Sequence, residues 1–165
     1  MQVATDTESR AIVGLEVSNE GSDAAGLSRP MREQVEERTK GKVEEHLLDG
    51  GYLKTEDIEE AHDQGVALYV PPKPARNPQK RGGELEAKPR DSEAVQAWKR
   101  RMSSAEGKEI YRQRAATSET VNAELRSWRG LSRITVRGLA KARCIALWCA
   151  LAYNVMHFAA YLVGS

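Results

Sequence analysis

The first 70 residues alternate between short apolar runs with the spacing of strands and longer runs with one apolar face, which is the spacing of helices. Residues 1–17 predict a β-hairpin with its turn at residues 6–9. After it the pattern predicts a helix over residues 30–40, a strand over 42–48, a helix over 55–64 and a strand over 66–70. This alternation is typical of an α/β fold, so we expect helices that cover a sheet.

Residues 72–90 contain four prolines, two glycines and six Lys or Arg, which leaves few side chains to pack. We expect a flexible basic connection here, within one domain that spans residues 1–165. It is either a solvated loop or an arm that contacts nucleic-acid phosphates. The residues that would make those contacts are Lys73, Arg76, Lys80 and Arg81.

The remaining residues predict helices. One begins near residue 91 with a core-facing stripe of Val95, Trp98 and Met102, and the next begins at Thr117 or Ser118. The last runs over residues 138–162 and is almost entirely apolar. We expect it to be a buried core helix, although its length and composition also fit a membrane anchor.

The formal net charge of +1 hides an asymmetry between the two parts of the chain. Residues 1–65 hold 7 Lys or Arg against 16 Asp or Glu, and residues 66–165 hold 18 against 8. A polyanion would therefore bind the second part. No signal peptide follows Met1, and Cys144 and Cys149 lie on different faces of a helix, so we expect a cytoplasmic, nucleoid-associated protein without a membrane partner.

Two acidic residues stand out as candidates for chemistry. Asp49 ends a predicted strand before Gly50 and Gly51, and open α/β sheets collect their sites beyond such strand ends, although Asp-Gly is also a common turn. Glu119 begins a predicted helix within a basic stretch, where it could simply favour the helix dipole. The three histidines lack zinc-ligand spacing with the cysteines.

Four segments together resemble the DDE transposases of bacterial insertion sequences. They are QVATDTESRAIVGLEVSNEGSD, DGGYLKTEDIEEAHDQGVALYVPP, WKRRMSSAEGKEIYRQRAATSE and RGLSRITVRGLAKARCIALWCALAYNVMHF. In those proteins the second catalytic Asp ends a strand before a Gly-Tyr turn, which matches Asp49 and Tyr52. The last catalytic acid is a Glu downstream of a Tyr and an Arg, which matches Glu119 with Tyr111 and Arg114.

The resemblance implies a ribonuclease H-like fold and metal-dependent cleavage and strand transfer at transposon ends of DNA. Two Mg²⁺ ions held by three carboxylates would serve this chemistry, with Asp49 and Glu119 as two of the ligands. The residues expected to place the DNA backbone are Tyr111, Arg114, Arg126, Arg129, Arg133 and Arg137. The last three recur every fourth residue, so they share one face if that segment is helical, but a turn or short strand is as consistent, and an ordinary solvated face remains the alternative.

Two departures from the family pattern qualify this expectation. Four residues separate Arg114 from Glu119, where many relatives have three, and a helix that begins at Thr117 or Ser118 would absorb the difference. The first catalytic Asp should lie on a strand before the hairpin. Asp6 in the hairpin turn and Asp23 in the connection to a helix are no substitutes.

We therefore expect a C-terminal piece of a transposase catalytic domain whose first strand is missing, with Met1 an internal or misassigned start. Alone, it should be inactive. The alternative is a non-enzymatic DNA-binding regulator that competes with full-length transposase for DNA or for its partner subunit. Besides DNA, the expected partners are full-length transposase or a second copy of this chain.

Overall fold

The computed structural model describes residues 1–18, 28–52, 54–74 and 83–163. Within these ranges the chain contains helices and two small sheets, so the predicted α/β class is confirmed. The first sheet pairs β1 (Gln2–Thr5) with β2 (Ile12–Glu16), and the second pairs β3 (Glu45–Leu47) with β4 (Ala67–Tyr69). Asp23 lies outside the described residues.

Strands β1 and β2 form the predicted antiparallel hairpin, with Val3 opposite Leu15. The Asp6 carboxylate accepts hydrogen bonds from the backbone N–H and the hydroxyl of Ser9, at 2.7 and 2.6 Å. The hydroxyl bond is the main cause of the lowered pKa of Asp6. Helix α1 (Ser28–Thr39) crosses the hairpin at Gly14, where a Cβ atom would lie 2.7 Å from the Met31 sulfur. A larger residue at position 14 would therefore require the Met31 side chain to move.

Strands β3 and β4 are parallel, and helix α2 (Thr55–Asp63) supplies the crossover that parallel strands need. Gly65, with φ of 71°, follows α2 and turns the chain into β4. Helix α3 (Glu93–Ser103) packs against both elements. The buried residues they share, which we name the first core, are Ile58, Ala61, Val66, Leu68, Tyr69, Val70, Ala94, Val95, Trp98 and Met102.

The described parts of the basic connection, residues 72–74 and 83–90, contain neither helix nor strand. The ammonium group of Lys99 ties the end of the connection to α3, since it lies 2.8 Å from the Glu86 carbonyl oxygen and 2.7 Å from the Asp91 carboxylate. Of the basic residues expected to contact nucleic acid, Arg76, Lys80 and Arg81 lie outside the described residues.

Helix α4 (Ala105–Arg114), a π-helical turn (Ala115–Glu119) and helix α5 (Thr120–Ser127) form one continuous helix. The prediction of a new helix start at Thr117 or Ser118 is therefore wrong. The hydroxyl groups of Thr117 and Thr120 do not cap a helix; they donate to the carbonyls of Gln113 and Ala116, both at 2.8 Å. Ser104 caps the continuous helix instead, with its side chain accepting from the Gly107 N–H.

Helix α6 (Leu139–His157), followed by the short α7 (Ala159–Leu162), fulfils the expectation of a core helix on one face only. Its small residues Ala146 and Ala150, together with Tyr153, are buried. The buried residues of this region, which we name the second core, are Ile12, Leu15, Val17, Val121, Leu125, Leu131, Ala146, Ala150 and Tyr153.

The opposite face of α6 is exposed, with Trp148 at 66% and Leu151 at 51% of full exposure. The prediction of a buried core helix is therefore only partly right, because only the alanine-rich face of α6 meets the hairpin and α5. By length and composition α6 could also cross a membrane, a property that core helices of water-soluble proteins share.

Asn154 joins α6 to the hairpin as a neighbouring strand would. Its Oδ1 accepts from the Ile12 N–H at 2.9 Å, and its Nδ2 donates to the Ile12 carbonyl at 2.8 Å. The side-chain amide thus satisfies both backbone groups of Ile12, which closes that point of the β2 edge.

Candidate active site

A cleft of about 740 Å³ runs between β1 and β3. Its remaining walls come from α1 and from the continuous helix that spans α4 and α5. The described part of the chain places no strand between β1 and β3. Because the carboxyl end of β3 opens into this cleft, it is where an α/β fold would collect functional groups.

Asp49 lies just beyond β3, where a 3₁₀ turn (Gly50–Tyr52) leads the chain away from the sheet. Its side chain is 61% exposed, and one carboxylate oxygen lies 3.3 Å from the Arg114 guanidinium. Gly50 allows the turn to sit against the end of β4, since a Cβ atom there would lie 3.1 Å from the Pro71 ring. The predicted acid is therefore presented to the cleft, beside a fixed positive charge.

Tyr111 fixes α4 to the same strand end. Its hydroxyl donates to the Leu48 carbonyl at 3.1 Å, and burial is the main cause of its raised pKa. The structure thus brings together Asp49, Tyr111 and Arg114, three of the residues that the sequence selected.

The π turn accounts for the extra residue between Arg114 and Glu119. One inserted residue in a regular helix would rotate everything after it by about 100°. A π turn bonds five residues apart and takes up one residue within the helix, a feature often found at functional sites. Glu119 consequently returns to within about 20° of the face that carries Tyr111.

Glu119 is exposed and directly follows Ser118, which lines the cleft. Asn122 and Arg126 also line the cleft, and on a regular helix they lie about 60° and 20° around the axis from Glu119. Glu119 itself does not belong to the cleft lining. Its joint action with Asp49 remains a prediction.

The four downstream arginines do not share one environment. Arg126 is on α5 and lines the cleft. Arg129 forms an ion pair with Glu124 at 3.6 Å, whereas Arg133 and Arg137 are exposed in a non-helical segment between α5 and α6. The alternative of a single helical face is therefore wrong, because Gly130 adopts a φ of 71° and ends the helical path. A role in DNA contact remains a prediction for these residues.

The cleft also holds two polar residues that sequence reasoning did not select. Arg32 of α1 is only 3% exposed, and its guanidinium donates to Ser28 Oγ at 3.0 Å and to Gln64 Oε1 at 3.2 Å. His46 of β3 has its pKa lowered to about 4, first by burial and then by the charge of Arg32. His46 stands beside the apolar residues Leu47 and Leu48, which is a weak signal, whereas Arg32 lies in a charged helix and carries none.

Among the described residues no group of three or more His, Cys, Asp or Glu side chains is placed to hold a metal ion. The cleft wall nevertheless supplies oxygen donors, namely the Asp49 carboxylate, the Ser118 hydroxyl and the Asn122 amide. Hard divalent cations prefer such donors.

Residues 1–155 match the sequence model of the transposase DDE domain. Proteins of this family act on DNA and generally use divalent metal ions. No curated protein and no solved structure matches the chain. Since the match covers nearly the whole chain, this chain belongs to the DDE transposase family.

Proposed function

We propose that this chain is the larger part of a ribonuclease H-like catalytic domain that cleaves and joins DNA at transposon ends. The ion pair between Asp49 and Arg114 carries the proposal, because it joins the end of β3 to the helix that leads to Glu119. The π turn supports it further, since by helix geometry the residue that it takes up would bring Glu119 to within about 20° of the face of Tyr111.

Asp49 and Glu119 would hold divalent ions, and their carboxylate oxygens suit Mg²⁺. Bound ions of this kind activate an attacking water or 3′-hydroxyl and stabilise the leaving oxygen. Arg114 keeps the Asp49 carboxylate in place, and Tyr111 holds α4 to the strand end. Arg126, which lines the cleft, would contact a DNA phosphate, and the exposed Arg133 and Arg137 would add further contacts.

A complete site needs a third carboxylate, which we propose comes with a further strand between β1 and β3. Two observations support such a strand. Each of these strands pairs with a partner on one side only among the described strands, and both border the same cleft. We therefore expect the 165-residue chain alone to bind DNA without cleaving it.

Metal binding tests the two carboxylates separately from activity. We expect Asp49→Asn and Glu119→Gln each to weaken Mn²⁺ binding about tenfold, measured by electron paramagnetic resonance. Glu109→Gln is the matched control, because Glu109 is an exposed carboxylate on α4 that pairs with Arg112. Equal Mn²⁺ binding by all three variants would remove Asp49 and Glu119 as ligands.

Catalysis is tested with labelled DNA that flanks the coding sequence. The chain should shift this DNA in a salt-sensitive manner and leave it uncut with Mg²⁺. The product of the reading frame extended upstream should cut it, and Asp49→Asn should abolish the cut. Sustained cleavage by the chain alone, lost in Asp49→Ala, would show that no further strand is required.

A DNA-binding regulator without catalysis is the second candidate. The observation that favours it is the pairing of Asp49 with Arg114, which offsets the negative charge that a metal ion would use. This function predicts that the extended product also binds DNA without cleavage, and that the chain suppresses transposition by an intact transposase.

A further inference from the structure

The cleft between β1 and β3 has the surroundings of a central strand. Val3 of β1 and Leu47 of β3 border it, while Met31 and Val35 of α1 and Thr117 of the continuous helix line it from other elements. Strands in the middle of an α/β sheet are enclosed in this way, by neighbouring strands at their edges and by helices on their faces.

The α1 side of the cleft contains a buried cation, Arg32, without an ion-pair contact among the described residues. Arg32 uses its two terminal nitrogens on Ser28 and Gln64, both uncharged partners. Its Nε is buried and has no partner among the described residues. The described acids that act on it, Asp57 and Glu60 among them, do so without forming an ion pair. A buried guanidinium in this state is costly unless a further group completes its bonding.

His46, like Arg32, has a buried side-chain nitrogen that makes no hydrogen bond within the described part of the chain. Its Nδ1 is buried without a partner among the described residues, and it lines the same cleft as Arg32. Asp49 lies beyond the end of β3 and pairs with Arg114 of α4, whereas His46 lies within β3 and close enough to Arg32 of α1 to be affected by its charge. The two unsatisfied nitrogens thus mark the α1 side of the cleft, and Asp49 marks the α4 side.

We propose that the strand filling this cleft carries an acidic side chain on its α1 face, and that its carboxylate accepts hydrogen bonds from Arg32 Nε and His46 Nδ1. The inference rests on the proposed function only in requiring that a strand fills the cleft. A carboxylate supplies the negatively charged acceptor that Arg32 lacks as a direct partner, and neutral His46 donates a hydrogen bond in its Nδ1–H tautomer. A DNA phosphate would satisfy the cation but not the strand edges of β1 and β3.

This acid is distinct from the third metal-binding carboxylate. That carboxylate must face Asp49, on the other side of the inserted strand. Because side chains alternate along a strand, the two acids must be separated by an odd number of positions. The inserted strand is therefore recognised from both faces, by Arg32 and His46 on one and by the metal site on the other.

Fusions that add a strand before Met1 test the inference. A short run of alternating Val and Thr, joined by an Asn-Gly turn, would pair with β1 as a hairpin. Three versions carry no acid, an Asp at one central position, or an Asp at the next position. We expect one Asp version to raise the melting temperature by about 5 °C above the acid-free version. His46→Leu and Arg32→Met should each remove that gain.

Arg29→Met is the matched control, because Arg29 is an exposed arginine on the same helix that pairs with Glu33 and Glu60. It should leave the gain intact. If Arg32→Met fails to fold, His46→Leu and the ¹⁵N resonance of His46 Nδ1 decide, since that resonance should shift only with the correctly placed Asp.

The possible failures are distinguishable. If the acid-free strand neither stabilises the chain nor protects β1 amides from exchange, no strand fills the cleft and the proposed function loses its source of a third acid. If the strand stabilises the chain but neither Asp adds a gain that depends on Arg32 and His46, the inferred acid is wrong and the strand stands.

Discussion

The first core joins residues 58–102, whereas the second joins residues 12–17 to residues 121–153. The first is assembled from neighbouring elements, so little loop entropy opposes its formation. The second must bring the hairpin to the C-terminal helices across most of the chain. It also leaves one face of α6 exposed. We therefore expect the first core to form without the rest of the chain. The second core should form only when the hairpin and the C-terminal helices meet.

The continuous helix connects these two regions. Ile110 and Tyr111 on α4 pack against the first core, and Val121 and Leu125 on α5 belong to the second. The π turn lies between these pairs, beside the cleft. One helix therefore packs against both cores and also lines the cleft.

Damage to the first core should have the largest effect. Trp98 is 4% exposed, and its indole N–H donates to the Val70 carbonyl at 3.1 Å. We expect Trp98→Ala to lower the free energy of unfolding by about 3–5 kcal/mol, measured by urea denaturation. Trp148→Ala is the control, because Trp148 is exposed on α6. An equal loss in both variants would contradict the burial of Trp98 in the first core.

Acid should lower the free energy of unfolding through His46, which lies in β3 beside the cleft. Its folded pKa of about 4 lies below its ordinary value of 6.5, so the unfolded state binds more protons between these values. The contribution of neutral His46 to the free energy of unfolding is fully present above pH 6.5. It is lost as the pH falls towards 4, and the total loss is about 3 kcal/mol. Denaturation from pH 7 to pH 4 measures this loss, and His46→Leu should flatten the curve. An unchanged slope in that variant would assign the acid sensitivity to other groups.

Damage to the second core should remain local. Asn154→Ala removes both hydrogen bonds to Ile12, which should cost about 2 kcal/mol. We expect faster amide hydrogen exchange in β2 and α6, with α2, β4 and α3 still protected. Met156→Ala, an exposed change on the same helix, is the control. Faster exchange throughout the first core would mean that the two cores unfold as one unit.

Removing one residue from the continuous helix should have the smallest effect if the residue lies in the π turn. Deletion of Ala116 should convert this turn to regular helix, keep Glu119 on its face and cost less than about 1 kcal/mol. Deletion of Ala123, also exposed but in regular α5, rotates Leu125 by about 100° out of the second core and should cost several times more. Thermal denaturation and Mn²⁺ binding of both variants check this, and equal losses would show that the π turn does not absorb a residue.

Much of the fold could be predicted from local patterns. The hairpin, α1, β3, α2 and β4 all occur where the spacing of apolar residues predicts them, although β3 and β4 are shorter than predicted. Asp6 lies in the turn of the hairpin, and Gly65 follows the end of α2. Local hydrogen bonds and backbone preferences select these elements, so neighbouring residues carry the information. Asp49 was identifiable for the same reason, because a strand end followed by glycines is a local signal.

The sequence by itself determined the α/β class and the family, and it selected Asp49, Tyr111 and Arg114, which the structure brings together. Only the tertiary structure decided that the extra residue before Glu119 forms a π turn, because a new helix start fits the same letters and two separate cores hold the helix straight through that point. It also decided which face of α6 is covered, and that Arg32 and His46 are buried beside a cleft. Burial of a side chain depends on which distant elements pack against it, and the neighbouring residues in the sequence do not predict those contacts.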